Sequence, residues 1–228
     1  MKISPKQLVR QQASRYLKAQ SQGQRDQASR RMSNLLNTYL TRLQKKVGSA
    51  QYILLASYWP LPWEYTMRIT TQVQGLYLPR VMSDTEMIFF LYDGDSSQLS
   101  VDYAGILAPK ELEQTLTQAT TKDSVTVFVV PCLAINQEGA RLGYGKGYYD
   151  RFFCEYQSWL DKQKALNQMG DFITLAVTAS QFVSVESLSA NRLTFSADVW
   201  DLKMDCVLTS NKLMFFREDH PLNVPVMG

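Results

Sequence analysis

The 228-residue chain has a single histidine and three cysteines, so it is poor in the side chains that serve soft-metal sites and His-based catalysis. Cys132, Cys154 and Cys206 are widely spaced and odd in number, which argues against a disulfide framework and fits a reducing compartment. With one histidine beside them they offer no zinc spacing, and His220 reads as a tail residue rather than a triad member. Long apolar runs are absent as well. None approaches the about 20 residues that cross a bilayer, and the longest, Val125 to Ile135, is interrupted by Pro131. The opening Met1-Lys2-Ile3-Ser4-Pro5-Lys6 runs into polar sequence without an apolar signal region, so a cytoplasmic protein without membrane partners is expected.

Acids are scarce at one end only. Residues 1–50 hold eleven Lys/Arg and the single acid Asp26, whereas the remainder holds thirteen basic and twenty acidic residues, giving charges near +10 and −7. Three readings stand: a nucleic-acid surface, a basic wall for a phosphorylated ligand, or the solvated faces of two helices docked on an acidic body.

The 45% apolar content suffices for a full core, and a single α/β domain over residues 1–228 is expected. Apolar residues at helical spacing predict helices from Ser4 to about Gln20 and from Gln24 to about Lys46, parted by Ser21-Gln22-Gly23. Strands are predicted at Tyr52 to Tyr58, Leu76 to Leu78, Met87 to Tyr92, Ser100 to Tyr103, Val125 to Val130, Phe172 to Val177 and Cys206 to Thr209. Further helices are predicted at about Glu64 to Val73, from Pro109 to about Gln118, and from Tyr148 to about Lys164. Alternation of this kind implies a three-layer fold: a mostly parallel central sheet flanked by helices, with the two N-terminal helices packed on it. In such sheets ligands sit beyond the carboxyl ends of the strands.

One segment looks built for a ligand. Arg141-Leu142-Gly143-Tyr144-Gly145-Lys146-Gly147-Tyr148-Tyr149-Asp150-Arg151 places glycine at every second position among cations, tyrosines and a carboxylate. Such a run can present successive N–H groups to an anion, and phosphate is the natural guest. It is neither a P-loop, since Gly139 to Gly145 has the wrong spacing and Gly147 follows Lys146, nor a dinucleotide fingerprint, since the glycines alternate strictly.

The segment Asn136 to Arg151 closely resembles the signature of the 5-formyltetrahydrofolate cyclo-ligases, also called methenyltetrahydrofolate synthetases. The resemblance implies an enzyme that uses ATP and Mg²⁺ to convert 5-formyltetrahydrofolate, a reduced folate, to 5,10-methenyltetrahydrofolate with release of ADP and phosphate. It implies that Lys6 and Arg10, four apart on a helix face, contact the ATP phosphates together with residues 141–149, namely Arg141, Leu142, Gly143, Tyr144, Gly145, Lys146, Gly147, Tyr148 and Tyr149. Arg141 and Lys146 become the catalytic cations, expected as exposed loop residues. Asp150 and Asp205 become the magnesium carboxylates, and Glu64 and Tyr148 the folate contacts. A monomer without nucleic-acid partners is expected.

The substrate side departs from the family pattern. Glu64 is followed by Tyr65 and Thr66, Gly105-Ile106-Leu107-Ala108-Pro109 lacks the family's acid, and Asn136 replaces a common aspartate. Tyr58, Trp59 and Trp63 either stack on a pterin or pack on the N-terminal helices. An ATP-dependent ligase or kinase of the same fold acting on another substrate, or a non-catalytic nucleotide- or RNA-binding relative, are the alternatives.

Overall fold

The computed structural model describes residues 3–110, 114–166, 170–183, 195–198 and 201–226. In chain order the elements are α1 (Pro5–Ala19), α2 (Gln22–Val47), β1 (Tyr52–Ala56), β2 (Gly75–Val81), β3 (Met87–Leu91), β4 (Leu99–Val101), β5 (Leu107–Pro109), α3 (Leu116–Ala119), β6 (Ser124–Pro131), β7 (Ala134–Ile135), β8 (Arg141–Leu142), α4 (Tyr148–Lys164), β9 (Asp171–Val177), β10 (Cys206–Leu208) and β11 (Leu213–Phe215). Among the described residues, seven strands form one sheet in the order β11-β10-β9-β6-β1-β2-β3. Its interior pairings are parallel, and β2–β3 and β10–β11 close the two edges antiparallel.

β6 is central because its sequence leaves no alternative: Val125 to Val130 carry no charge, and every one of them is buried. Successive strand residues face opposite sides, so two layers must cover it. On one side α1 and α2 bring Val9, Leu17, Met32, Leu36, Leu40 and Leu43 against Ile53, Leu55, Val125, Val127 and Leu175. On the other, α4 brings Phe153, Tyr156 and Leu160 against Leu54, Phe128, Val130 and Ala176. Phe128 is the hub of that layer, with ring contacts to Phe89, Phe152, Phe153, Tyr156 and Phe172. The helix starts are written locally. Ser4 with Gln7, and Ser21 with Gln24, form reciprocal capping boxes, and Pro5 opens α1 where no N–H partner is needed.

Of the expected helices, the one over 64–73 is not formed, and the one from Pro109 is seen only in its last turn, residues 111–113 lying outside the described residues. Residues 64–73 run extended, and their side chains alternate: Tyr65, Met67, Ile69 and Val73 turn inward while Thr66, Arg68, Thr70 and Gln72 are exposed. The backbone is satisfied by α2 instead of by a helical ladder. Ser29 Oγ accepts from Thr66 N (3.0 Å), Ser33 Oγ from Arg68 N (3.0 Å), and Asn37 Oδ1 from Thr70 N (2.8 Å) and Thr71 N (2.9 Å). The match is geometric. Alternate N–H groups of an extended chain recur about every 6.6 Å, and side chains four apart on a helix about every 6 Å. Pro109 likewise opens no helix, because it ends β5 opposite Leu99 of β4, and the following helix α3 starts later, at a Thr115–Gln118 capping box.

Phe128 is fully buried. Phe128→Ala is expected to lower unfolding free energy by about 3–5 kcal/mol, as for large aromatic truncations in a core, measured by urea denaturation. A loss below about 1 kcal/mol would contradict its position as the hub of that layer.

Candidate active site

β1 and β6 are neighbours and parallel, so the loops after them leave the sheet from the same edge. One carries Glu64, the other the glycine run. This adjacency brings together groups that lie about eighty residues apart in the chain.

The run does not begin as a loop. Arg141 and Leu142 form β8, paired with β7, and the Arg141 side chain is only 5% exposed. Arg141 is thus not the exposed loop cation expected from sequence. Its Nη2 donates to Asp150 Oδ1 at 2.9 Å, and its guanidinium lies over the Tyr149 ring at 5.3 Å. Gly143 leaves room for that side chain: a Cβ there would stand 2.6 Å from Arg141 Nη1. Lys146, by contrast, is exposed.

Gly147 adopts φ 72°, a conformation that favours glycine, and caps α4 without a side-chain acceptor. The first N–H groups of that helix, at Tyr148 and Tyr149, therefore face outward with the positive end of the helix dipole, a setting suited to an anion. Arg151 braces the same turn. It donates to the carbonyls of Asp84, Thr85 and Lys146 and lies over the Tyr148 ring at 5.3 Å.

α1 closes the opposite side. Arg10 Nε donates to Gly143 O at 3.0 Å, and its guanidinium carbon lies 3.7 Å from where a Gly145 Cβ would be. Lys6, one turn earlier, is taken up by protein: Nζ lies 2.5 Å from Asp198 Oδ2 and 2.6 Å from Asp201 Oδ2. Its burial lowers the ammonium pKa, yet the two carboxylates outweigh that and leave it raised.

Glu64 reaches inward. Its Oε2 accepts from Leu61 N at 2.9 Å, its carboxylate also meets the Tyr144 hydroxyl, and that hydroxyl accepts from Trp63 Nε1 at 3.1 Å. The Tyr144 ring is 41% exposed, but its hydroxyl end is turned in between Glu64 and Trp63. Trp63 also lies under Lys18 of α1 at 4.6 Å, and Trp59 packs edge-on against Tyr92. Burial pushes the Glu64 carboxyl above its ordinary value, against the lowering effect of the bonds from Leu61 and Tyr144. Burial first, and Glu64 second, push the Tyr58, Tyr144 and Tyr149 hydroxyls up as well. Burial likewise raises Cys132 to about 12. The surroundings of Glu64 therefore disfavour a second negative charge.

The expected carboxylate pair Asp150 and Asp205 shares no partner. Asp205 Oδ2 accepts from Thr174 N and Oγ1, both at 2.8 Å, and Oδ1 lies 3.5 Å from His220 Nε2. That lock sits at the level of Thr174, about three strand residues or ~10 Å short of the edge where β9 ends at Val177. Beside Asp150 stands backbone rather than a second carboxylate: the Leu202 N–H points at Asp150 Oδ1 at 3.5 Å, while the Asp201 carboxylate accepts from Lys6 Nζ and Asp198 N. Asp150 Oδ2 has no hydrogen bond from the described residues, so Asp150 fits a hard cation bound through few protein oxygens, and Asp205 does not. Asp198 and Asp201 carry no local signal in the sequence, because the residue they hold lies far away in it; Lys6 and Asp201 are 195 positions apart.

The Glu64 shift sets a sign for stability. Its pKa is raised above 4.5 in the folded state, so the native protein holds the proton longer and stability falls as pH climbs through the raised value. Glu64→Gln, which keeps the acceptor for Leu61 N, is therefore expected to melt higher than the wild type at pH 8 and alike at pH 4. Equal melting differences at both pH values in thermal scans would refute the assignment.

The family model for the 5-formyltetrahydrofolate cyclo-ligase family matches residues 3–210. Among curated proteins, the chain is 26% identical over 142 residues to the "Probable 5-formyltetrahydrofolate cyclo-ligase" of Schizosaccharomyces pombe, covering 62% of this chain and 64% of that one. It is 25% identical over 137 residues to the 5-formyltetrahydrofolate cyclo-ligase of Mycoplasma pneumoniae, covering 60% and 56%. The alignments thus span less than two thirds of either relative. Among solved structures, the 5,10-methenyltetrahydrofolate synthetase of Aquifex aeolicus superposes with TM-score 0.66 at 20% identity over 97% of both chains. That of Mycoplasma pneumoniae superposes with TM-score 0.59 at 22% identity over 90% of this chain and 98% of its own. These likenesses show the shared α/β fold, and the sequence match running from residue 3 to residue 210 makes this chain a member of the 5-formyltetrahydrofolate cyclo-ligase family.

Proposed function

We propose that this protein is a 5-formyltetrahydrofolate cyclo-ligase acting as one α/β domain in the cytoplasm, forming 5,10-methenyltetrahydrofolate at the expense of ATP. The observation that carries the reading is the meeting of two unlike surfaces at one sheet edge. The glycine run with Arg10, Lys146 and the open start of α4 suits a triphosphate, while Glu64 with Tyr144 and Trp63 suits a flat heterocycle bearing hydrogen-bond donors.

In this reading the formyl oxygen attacks the terminal phosphorus, ADP leaves, N10 then attacks the activated carbon and loses its proton, and phosphate departs. An amide oxygen is a weak nucleophile, so positioning and charge neutralisation carry the acceleration. Arg10, Lys146 and the N–H groups of Tyr148 and Tyr149 hold phosphate oxygens. Lys6 joins them by exchanging the carboxylates of Asp198 and Asp201 for phosphate. Arg141 acts from behind: buried, it fixes Asp150 and Tyr149 rather than touching phosphate. Magnesium, held by Asp150 with phosphate oxygens, would neutralise charge building on the transferred group. Glu64, in its desolvated setting, accepts from the pterin N–H groups, and Tyr148 lines the folate side.

Purified protein with MgATP and 5-formyltetrahydrofolate should develop the absorbance of the methenyl product. No absorbance change, with ATP binding intact, would favour a ligase or kinase on another substrate. Lys146→Ala is expected to lower kcat/KM by about 10²- to 10³-fold, as for loss of one charge-stabilising donor, with the melting temperature unchanged. Arg141→Ala is expected to lose both turnover and about 3–5 kcal/mol of stability, because Asp150 is left partly buried without its partner. A normal melting curve for Arg141→Ala would refute the buried-pair role.

A further inference from the structure

Glu64 sits between two prolines on one side and an extended segment on the other; its own loop supports it only through Leu61 N–H and Leu61 O, and the glycine run adds the Tyr144 hydroxyl. What fixes the extended side is α2. Ser29, Ser33, Asn37 and Thr41 lie four apart and so form a single stripe along that helix. Besides accepting the N–H groups of Thr66, Arg68, Thr70 and Thr71, the stripe donates back: Asn37 Nδ2 to Arg68 O at 2.8 Å and Ser33 Oγ to Thr66 O at 3.4 Å. Thr41 Oγ1 meets Thr71 Oγ1 at 3.3 Å. Ser29 and Ser33 are buried, so water cannot replace them without exposing the packed face of Met67 and Ile69.

The nearest pin, at Thr66 N, is two residues from Glu64. Between them Tyr65 is held at both ends, its carbonyl accepting from Tyr58 and its hydroxyl from Gln20. A helix that does not itself touch Glu64 thereby anchors the segment that follows it, starting at Thr66 N. Arg10 and Lys146 share none of these bonds: Arg10 donates to Gly143 O, and the Lys146 carbonyl accepts from Arg151.

We infer that Ser29, Ser33 and Asn37 are positioning residues for substrate selection: through the extended segment they set the geometry of Glu64, and so govern affinity for the heterocyclic substrate while leaving the nucleotide side alone. The inference rests on the cyclo-ligase reading and adds to it the elements that enforce specificity. The stripe acts as a surrogate strand, and one lost bond in it lets the carboxylate drift by fractions of an ångström, enough to weaken a desolvated hydrogen bond.

The test is steady-state kinetics of Ser29→Ala, Ser29→Thr and Asn37→Ala, with melting temperatures recorded for each. Ser29→Ala is expected to raise KM for 5-formyltetrahydrofolate by about tenfold, with kcat and KM for ATP within about twofold of wild type, the scale of one hydrogen bond. Ser29→Thr, which keeps the hydroxyl, is expected to restore KM. Asn37→Ala, at the far end of the stripe, is expected to act in the same direction and more weakly. An unchanged folate KM in both alanine variants, or equal rises in both substrates' KM, overturns the inference. Wild-type protein that binds ATP but shows no methenyl formation overturns the cyclo-ligase reading itself, a different result from the variants alone failing to respond.

Discussion

The burial of β6 on both faces is the constraint from which the rest of the structure follows. An unbroken run of β-branched and aromatic residues cannot face water on either side, so α1 and α2 must cover one face and α4 the other. Once β6 is central and β1 lies parallel beside it, the loops that follow the two strands emerge at one edge. The place where Glu64 can meet Tyr144 is thus decided by hydrophobic covering before any polar contact is made.

Polar interactions then do the fine placement, and they do it from buried positions. Arg141 is the clearest case. The family motif presents it as a cation beside a phosphate loop, yet it lies inside, holding Asp150 and backing Tyr149, with Gly143 kept bare to admit it. The stripe on α2 works alike on the other side of the cleft. Serine and asparagine that would weaken a solvent-facing helix are here matched to a strand-like segment with its N–H groups turned toward them. The basic N-terminal region is explained partly by such contacts: Arg10 binds Gly143, Lys18 covers Trp63, and Arg42 and Lys46 hold carbonyls of the C-terminal segment.

Much of this was legible in the sequence. The two N-terminal helices announce themselves by apolar residues at helical spacing, α4 by a helix-forming stretch from Tyr148 to Lys164, and the central strands by their β-branched runs. The segment 64–73 departs from the expected helix because Tyr65, Met67, Ile69 and Val73 alternate with polar residues. Period two was present and was overlooked in a stretch without turn signals. Pro109 misled in the other direction, since proline's liking for a first helical turn says nothing when the residue ends an edge pairing.

The sequence by itself determined the layer architecture and the glycine-rich turn that leads into α4, because periodicity and close glycine spacing act over a few residues. Only the tertiary structure decided which charges face the ligand. Lys6 is tied to Asp198 and Asp201, Arg141 to Asp150, and Asp205 to Thr174 and His220. Apart from the pair Arg141 and Asp150, these partners lie far apart in the chain. Whether a cation or a carboxylate is spent on a protein partner or left for a ligand depends on packing across the sheet, which no local pattern encodes.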